Sequence, residues 1–597
     1  MNTLKIIPSI PLVLLTLSPF EPAVAQKPNV IFILTDDQGY GDLACNGNPW
    51  IKTPNMDKLY SQSVRFTNFH VATTCAPTRA GLMTGQYCNK VGVWHTINGR
   101  EILSAEETTL PQTMGKAGYS TAIFGKWHLG DNYPFRPQDR GFDEVLIHGG
   151  GGVGQQPDCW NNDYFDDTYL HNGKPKKFKG YCTDVWYSEA IKFIEKNKNS
   201  PFFCYIPSNA PHGPYNVEDR YSELYKNNPN IPNPNFYGMI TNLDENIGKL
   251  RTVLDSLGLA ENTILIFMTD NGTADGVKFG KDGKLVAGYN AEMRGVKGSP
   301  YDGGHRVPFF IYWPKGKITN GKDISNITSY IDFMPTVLDL CGVKQATKNA
   351  IDGLSLKPLI YGSTKKWPKR TLFSDTQREE FLVKWKQCAS MTDRWRMIGK
   401  DELYDMTTDP GQKDNVALAH PDVVDSLRSA YETWWNDVSQ NAEEYNRVKI
   451  GTSFEPTIRL NSHDCHAEKG LPAWSQEMVR AATGKNGFWA IEVVKDGEYE
   501  FELRRWPVES GLSLSDAALA GDPVPGGKPY LKGEAIAFAK VKIEIDGKTY
   551  EKKVDNSANG IVFMVKLKKG NYSLTTWLTD NKGNERGAYY VYINSAI

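Results

Sequence analysis

Four stretches of the chain are apolar almost throughout and then stop on charged or turn-forming residues. "NVIFILT" runs into "DDQGYGD", "STAIFG" into "KWHLGD", "FFCYIPS" into "NAPHGPY", and "TILIFMT" into "DNGTADG". Continuous runs of this kind, rich in β-branched and aromatic residues, predict strands covered on both faces, as in a largely parallel sheet. Helical patterns alternate with them, so residues 26–360 are expected to form an α/β domain.

The pattern then changes twice. Residues 361–450 carry short strand-like stretches ("RTLFSD", "RWRMIG") and the amphipathic helix "HPDVVDSLRSAYETWWNDVSQ", which predicts a small α+β subdomain. From 451 to 597 the text alternates apolar and polar residues between glycine-bearing turns, as in "GEYEFELRRW" and "AKVKIEIDGKTYEKKV". That predicts an antiparallel β-sandwich module. A length of 597 residues suits two or three cores rather than one.

At the start, Lys5 precedes the apolar "IIPSIPLVLLTL", and Ala23 and Ala25 give a small-residue cleavage pattern. A signal peptide over 1–25 is expected, hence an exported protein, periplasmic or secreted. The apolar stretch is short for a membrane span, and Pro8 and Pro11 interrupt it. The net charge of −1 gives no general field for nucleic acid or an anionic membrane, so recognition of an anion must be local. The nine cysteines are an odd number, which leaves at least one unpaired.

Ligands of open α/β sheets bind beyond the carboxyl ends of the strands. Asp36, Asp37, Lys126, His128, His212, Asp270 and Asn271 all follow apolar runs and are therefore expected to converge. The oxygen donors Asp36, Asp37, Asp270 and Asn271 favour a hard cation, Ca²⁺ or Mg²⁺, over zinc. In "TTCAPTRAGLMTG", Pro77 suits a first helical turn, which puts Cys75 at a helix N-terminus where anions are favoured. Arg79 lies four residues on, on the same face. A cation, a helix N-terminus, basic side chains and two histidines around one atom suit an ester of sulfate or phosphate.

These residues resemble a known family. "CAPTRAGLMTG" is similar to the signature of the type I sulfatases, C-x-P-T/S-R followed by T-G, whose cysteine is oxidised after translation to formylglycine. "IKTPNMDKL", "GYSTAIFGKWHLG", "TDNG", "KGSPYDGGHRVPFFIYWP" and "ELYDMTTDPGQKDNVA" resemble the other blocks of that family, in its order. The resemblance implies an alkaline-phosphatase-like mixed sheet sandwiched by helices. It implies calcium, ahead of magnesium, on Asp36, Asp37, Asp270, Asn271 and modified Cys75. Formylglycine hydrate at position 75 would attack sulfur, with His212 as acid on the leaving oxygen and Lys297 on a sulfate oxygen. His128 would deprotonate the second hydroxyl, while Arg79 and Lys126 orient the hydrate. A sulfated carbohydrate is the expected substrate, and a formylglycine-generating maturation enzyme the expected partner.

Where many family members place a hydroxyl on the sulfate, this chain has "RGFDEVLIHGGGGVGQQPD", which makes His148 a candidate substrate contact. Trp94 and His95, just past the signature helix, are two more. His305 is expected to be structural. So are His463, Cys465 and His466 of "SHDCHAE", because neighbouring loop residues rarely close a metal shell. Two alternatives remain open: a phosphodiesterase or phosphonate monoester hydrolase of the same superfamily, and a catalytically silent glycan-binding protein.

Overall fold

The computed structural model describes residues 27–596, apart from 282, 320, 346–348 and 363–366, so the expected signal peptide lies outside the described residues. Ten strands form the largest sheet. In chain order they are β1 (Asn29–Thr35), β2 (Val64–Phe66), β3 (Ser120–Lys126), β4 (Glu144–His148), β5 (Thr168–His171), β6 (Lys174–Lys177), β7 (Phe202–Pro207), β8 (Thr263–Thr269), β9 (Phe309–Tyr312) and β10 (Asp323–Ile324). Across the sheet they lie in the order β10-β2-β9-β8-β1-β7-β3-β4-β5-β6. The central run β8-β1-β7-β3-β4 is parallel. Antiparallel β9 borders it on one side, and the β5–β6 hairpin on the other. The sheet is therefore mixed, with the expected parallel centre.

The four apolar runs are β1, β3, β7 and β8, and each is covered on both faces. In β1, Val30, Phe32 and Leu34 pack in one layer with Ala76 and Ala80 of helix α1 (Cys75–Thr84). Ile31 and Ile33 pack in the opposite layer with helices α2 (Cys182–Lys196) and α3 (Pro234–Ser256). Period-two alternation between two apolar layers explains why these strands carry no polar stripe.

Beyond the main sheet, an antiparallel meander runs from Leu372–Asp375 to Glu402–Asp405, followed by the helix Pro421–Val438. Phe373, Tyr431 and Trp434 join the main apolar layer, while Met397, Leu403, Val424 and Leu427 form a small core between the meander and the helix. The last part of the chain forms a six-stranded and a four-stranded sheet. Trp489 and Ile491 from the first pack with Phe501 and Val591 from the second, which makes a sandwich core. Ile102 and Phe135 of the α/β half are buried in that same core. All nine cysteines are free thiols. No helix among the described residues is long and apolar enough to cross a membrane.

Phe501 is fully buried at the centre of the sandwich. Phe501→Ala is expected to cost about 3–5 kcal/mol, read by scanning calorimetry as an unfolding transition moved to lower temperature. An unchanged thermogram would contradict a load on that core.

Candidate active site

The five parallel strands end on one patch. Asp36 and Asp37 follow β1, Lys126 closes β3, and Asp270 and Asn271 follow β8. His148 ends β4 directly opposite Lys126 in the parallel register. His212 lies in the loop after β7. Helix α1 brings Cys75 and Arg79 over these ends, and all ten of its residues are buried. Thr74 occupies its N-cap without a side-chain cap hydrogen bond, so the first-turn N–H groups remain for other partners. Gly85, at φ +70°, closes the helix with its N–H on Gly81 O. Lys297 arrives on a loop anchored by its own N–H to Thr273 O and by Gly298 N–H to Thr73 O.

Acids and bases interlock here. Lys126 Nζ is 2.7 Å from Asp36 Oδ2. Arg79 Nη2 is 2.7 Å from Asp270 Oδ2, and its Nη1 donates to Lys126 O at 3.1 Å. Lys297 Nζ is 2.6 Å from Asp37 Oδ1. Asn271 Nδ2 also donates to Asp37 Oδ1, at 2.9 Å. His212 Nε2 stands 3.8 Å from Asp37 Oδ2. Asp36, Arg79, Lys126 and Asp270 are at most 1% exposed, whereas the side chains of His212 (18%) and Lys297 (14%) reach the opening.

Burial and charge set the protonation states. Burial opposes ionisation of Asp37, yet Lys297, His212 and Lys126 together hold it well below the usual carboxylate range. Burial and the neighbouring Asp36 push Asp270 up to about 6 against the pull of Arg79. Burial pushes the Cys75 thiol up to about 11, although Lys126 and Lys297 favour the thiolate. At neutral pH it is therefore a thiol and a poor nucleophile.

Burial also keeps the imidazoles neutral. It lowers His212 to about 3, and His128 falls well below its ordinary value, with Lys126 adding to the effect. Thr96 O, 2.8 Å from His128 Nε2, fixes the proton there. His128 Nδ1 then carries a lone pair, and it is buried without a partner.

The carboxyl-end patch suits a hard cation. Side-chain atoms of Asp36, Asp37 and Cys75 lie within 4.8 Å of one another. Two oxygens beside them, Asp36 Oδ1 and Asn271 Oδ1, are buried and have no hydrogen-bond partner. Orphaned acceptors in an oxygen-donor set are what a Ca²⁺- or Mg²⁺-type ion would satisfy.

The three candidate substrate contacts fall differently. Trp94 is wholly buried, its indole N–H donates to Glu379 O, and Arg100 lies 4.6 Å over its ring. That leaves Trp94 no face for a substrate, which corrects the expectation from sequence. His95 Nδ1 accepts from Thr96 N, and its Nε2 is buried without a partner. His148 gives Nδ1 to Gly149 O and leaves Nε2 buried and unpartnered near the patch.

Sequence reading missed the wall formed by the glycines after His148, although the run itself was visible. A Cβ on Gly151 would collide with the imidazole of His128, and one on Gly152 would lie 3.2 Å from His212. The loop thus packs its bare backbone on both histidines.

This geometry defines a hydrolase acting on esters of an oxyacid, and comparison identifies which one. Residues 28–343 match the Sulfatase family model, and residues 297–433 match the model of the N-sulphoglucosamine sulphohydrolase C-terminal region. Human arylsulfatase A is 30% identical over 68% of this chain and 87% of its own. An N-acetylgalactosamine-6-O-sulfatase of Bacteroides thetaiotaomicron is 29% identical, over 68% and 93%. The crystal structure of Ps i-CgsB in complex with k-i-k-neocarrahexaose superposes with a TM-score of 0.61 at 28% identity, covering 70% of this chain and 94% of that one. The chain belongs to the sulfatase family, formylglycine-type enzymes of the alkaline phosphatase-like superfamily, and is a sulfuric ester hydrolase.

Gly151→Ala is expected to displace His128 and lower kcat on the order of 10²-fold. Gly115→Ala, where a Cβ meets nothing within 4 Å, should leave kcat unchanged. Steady-state kinetics on a chromogenic aryl sulfate would check both.

Proposed function

We propose that this enzyme hydrolyses a sulfate ester on a carbohydrate, using formylglycine formed from Cys75 and a calcium ion held by Asp36, Asp37, Asp270 and Asn271. The observation that carries the reading is the placement of Cys75. It starts a buried helix, within 4.8 Å of carboxylate oxygens of Asp36 and Asp37, as a thiol that burial keeps protonated. A carbohydrate substrate is supported by the N-acetylgalactosamine-6-O-sulfatase relative and by the neocarrahexaose bound in Ps i-CgsB. Export is supported by the leader-like pattern of residues 1–25. The division at about 360 and 450 belongs to the same proposal.

When bound, the cation supplies fixed positive charge to the sulfate oxygens. Formylglycine in its hydrated form supplies a geminal diol, one hydroxyl to take the sulfuryl group and the other to collapse and expel sulfate. The remaining work falls to side chains of this chain. Lys297, at the opening, meets a peripheral sulfate oxygen. Arg79 and Lys126 are too deep to touch the sugar and orient position 75 from below. His212 gives Nδ1–H to Gly213 O, which leaves Nε2 to protonate the departing alkoxide. Burial works against a charged His212, but the anionic ester in the pocket favours it. His128 receives a proton at Nδ1, the atom that Thr96 leaves free.

A peptide mass spectrum across residue 75, on enzyme from its native host, is expected to show the aldehyde or its hydrate in place of CH₂SH. An unmodified thiol in active enzyme would sink the reading and favour a metal-dependent phosphohydrolase. Chelation followed by calcium is expected to abolish and then restore turnover of sulfate esters. Activity that survives exhaustive chelation would remove calcium from the proposal.

A further inference from the structure

The seam between the α/β half and the sandwich holds a second cluster of ionisable side chains. Glu101 lies on the loop after His95, and His463 and Asp464 lie in the short turn Ser462–Asp464 at the edge of the sandwich. His463 Nδ1 is 2.7 Å from Asp464 Oδ1 and 3.6 Å from Glu101 Oε1. Glu101, His463 and Asp464 are 2%, 1% and 6% exposed. Neither oxygen of Glu101 accepts a hydrogen bond, although Oε1 is turned toward the imidazole, and His463 Nε2 is unpartnered as well. Cys465 and His466 go elsewhere, the first into the sandwich core and the second to Glu380.

Two buried carboxylates facing one imidazole are expensive to desolvate. Elsewhere the chain buries a single carboxylate between two imidazoles and balances it with an arginine. His70, Asp302 and His305 also bring ligand-type atoms within 4.8 Å, but there Arg396 donates to Asp302 Oδ1 at 2.9 Å and lies 2.9 Å from His70 Nε2. Among the described residues, no lysine or arginine comes within 4.0 Å of Glu101 or Asp464, whose ion-pair partner is His463 alone. Arg100, next in the chain, is committed to Glu380 at 3.1 Å. Burial pushes the Glu101 carboxyl up to about 8, and against burial Asp464 and Glu101 raise His463 to about 10, so without a metal one imidazolium faces both acids.

We propose that Glu101, His463 and Asp464 bind a second divalent cation, a transition metal of the Zn²⁺ or Mn²⁺ kind, distinct from the oxygen-lined site at the strand ends. Two ionised carboxylates and a neutral imidazole balance the charge of a divalent ion. The donor spacings of 2.7 and 3.6 Å bracket the ~3.3 Å edge of a tetrahedron with bonds of about 2.0–2.1 Å. An imidazole nitrogen in the set selects a transition metal over calcium. Asp131 interacts electrostatically with both His463 and Asp464. It lines a cleft of about 730 Å³ between the β5–β6 hairpin and the sandwich, and offers a further carboxylate on that side. A metal on Nδ1 leaves the His463 proton on Nε2, with the ring centroid 6.2 Å from that of His128. The ion would fasten the sandwich beside the proposed base.

The test uses whole enzyme with its calcium in place, dialysed against Zn²⁺ or Mn²⁺ and assayed for metal content and melting temperature. The parent is expected to hold one equivalent of the transition metal, which Glu101→Gln and His463→Gln lose and Asp36→Asn keeps. Added Zn²⁺ should raise the parent's Tm by several degrees, through binding to the folded state, and leave that of Glu101→Gln unmoved. If either variant fails to fold, titration of the parent decides alone. A parent that binds neither metal and shows no shift, or variants that retain the full equivalent, would overturn the proposal.

Discussion

Everything at the carboxyl end of the sheet depends on keeping charge out of water without leaving it unbalanced. Asp36, Asp37 and Asp270 are matched by Arg79, Lys126 and Lys297, all six of them buried or nearly so. The pairing is incomplete in a directional way. Each partner of Asp36 approaches Oδ2, so Oδ1 stays open, and the amide of Asn271 turns its nitrogen to Asp37 and its oxygen away. A divalent ion at those oxygens would leave the patch with excess positive charge, which suits an anionic ester and the dianion it releases. The fold serves this arrangement directly. Only parallel strands deliver all their ends to one side, and only strands buried on both faces hold those ends dry.

The parallel centre was legible because a doubly covered strand writes an unbroken apolar run, and the residues just after β1, β3, β7 and β8 were legible as a site for the same reason. Lys297 was not, since it comes through a loop with no periodicity, and the resemblance to a family was its one signal. Trp94 shows the opposite failure. A tryptophan in a loop beside a signature helix looks like a sugar platform, but Glu379, far away in sequence, takes its indole N–H, and Arg100 on the same loop covers its ring. The sandwich was legible from alternation, whereas its sharing of Ile102 and Phe135 with the α/β half was not, because a buried contact across hundreds of residues leaves no local trace.

The same limit hid the seam. Asn98 donates to Ala467 O across 369 residues and also binds Glu380. Gln156 is tied to Trp474 and Tyr589. The appended module thereby reaches His128, whose ring centroid lies 6.2 Å from that of His463, while a Cβ on Gly151 would collide with the same imidazole.

Cys75 is 2% exposed and opens a helix whose Ala76 and Ala80 pack in one apolar layer with residues as far along the chain as Val438. A polypeptide is made from its N-terminus, so the signature helix is made well before the later residues that share its layer. In the proposed function, an oxidising enzyme must reach a side chain that the finished molecule hides. Contacts made late in the chain would then also set a clock. On that reading, chemistry on Cys75 has the time before those later residues close the layer, and slow, long-range packing lengthens that time.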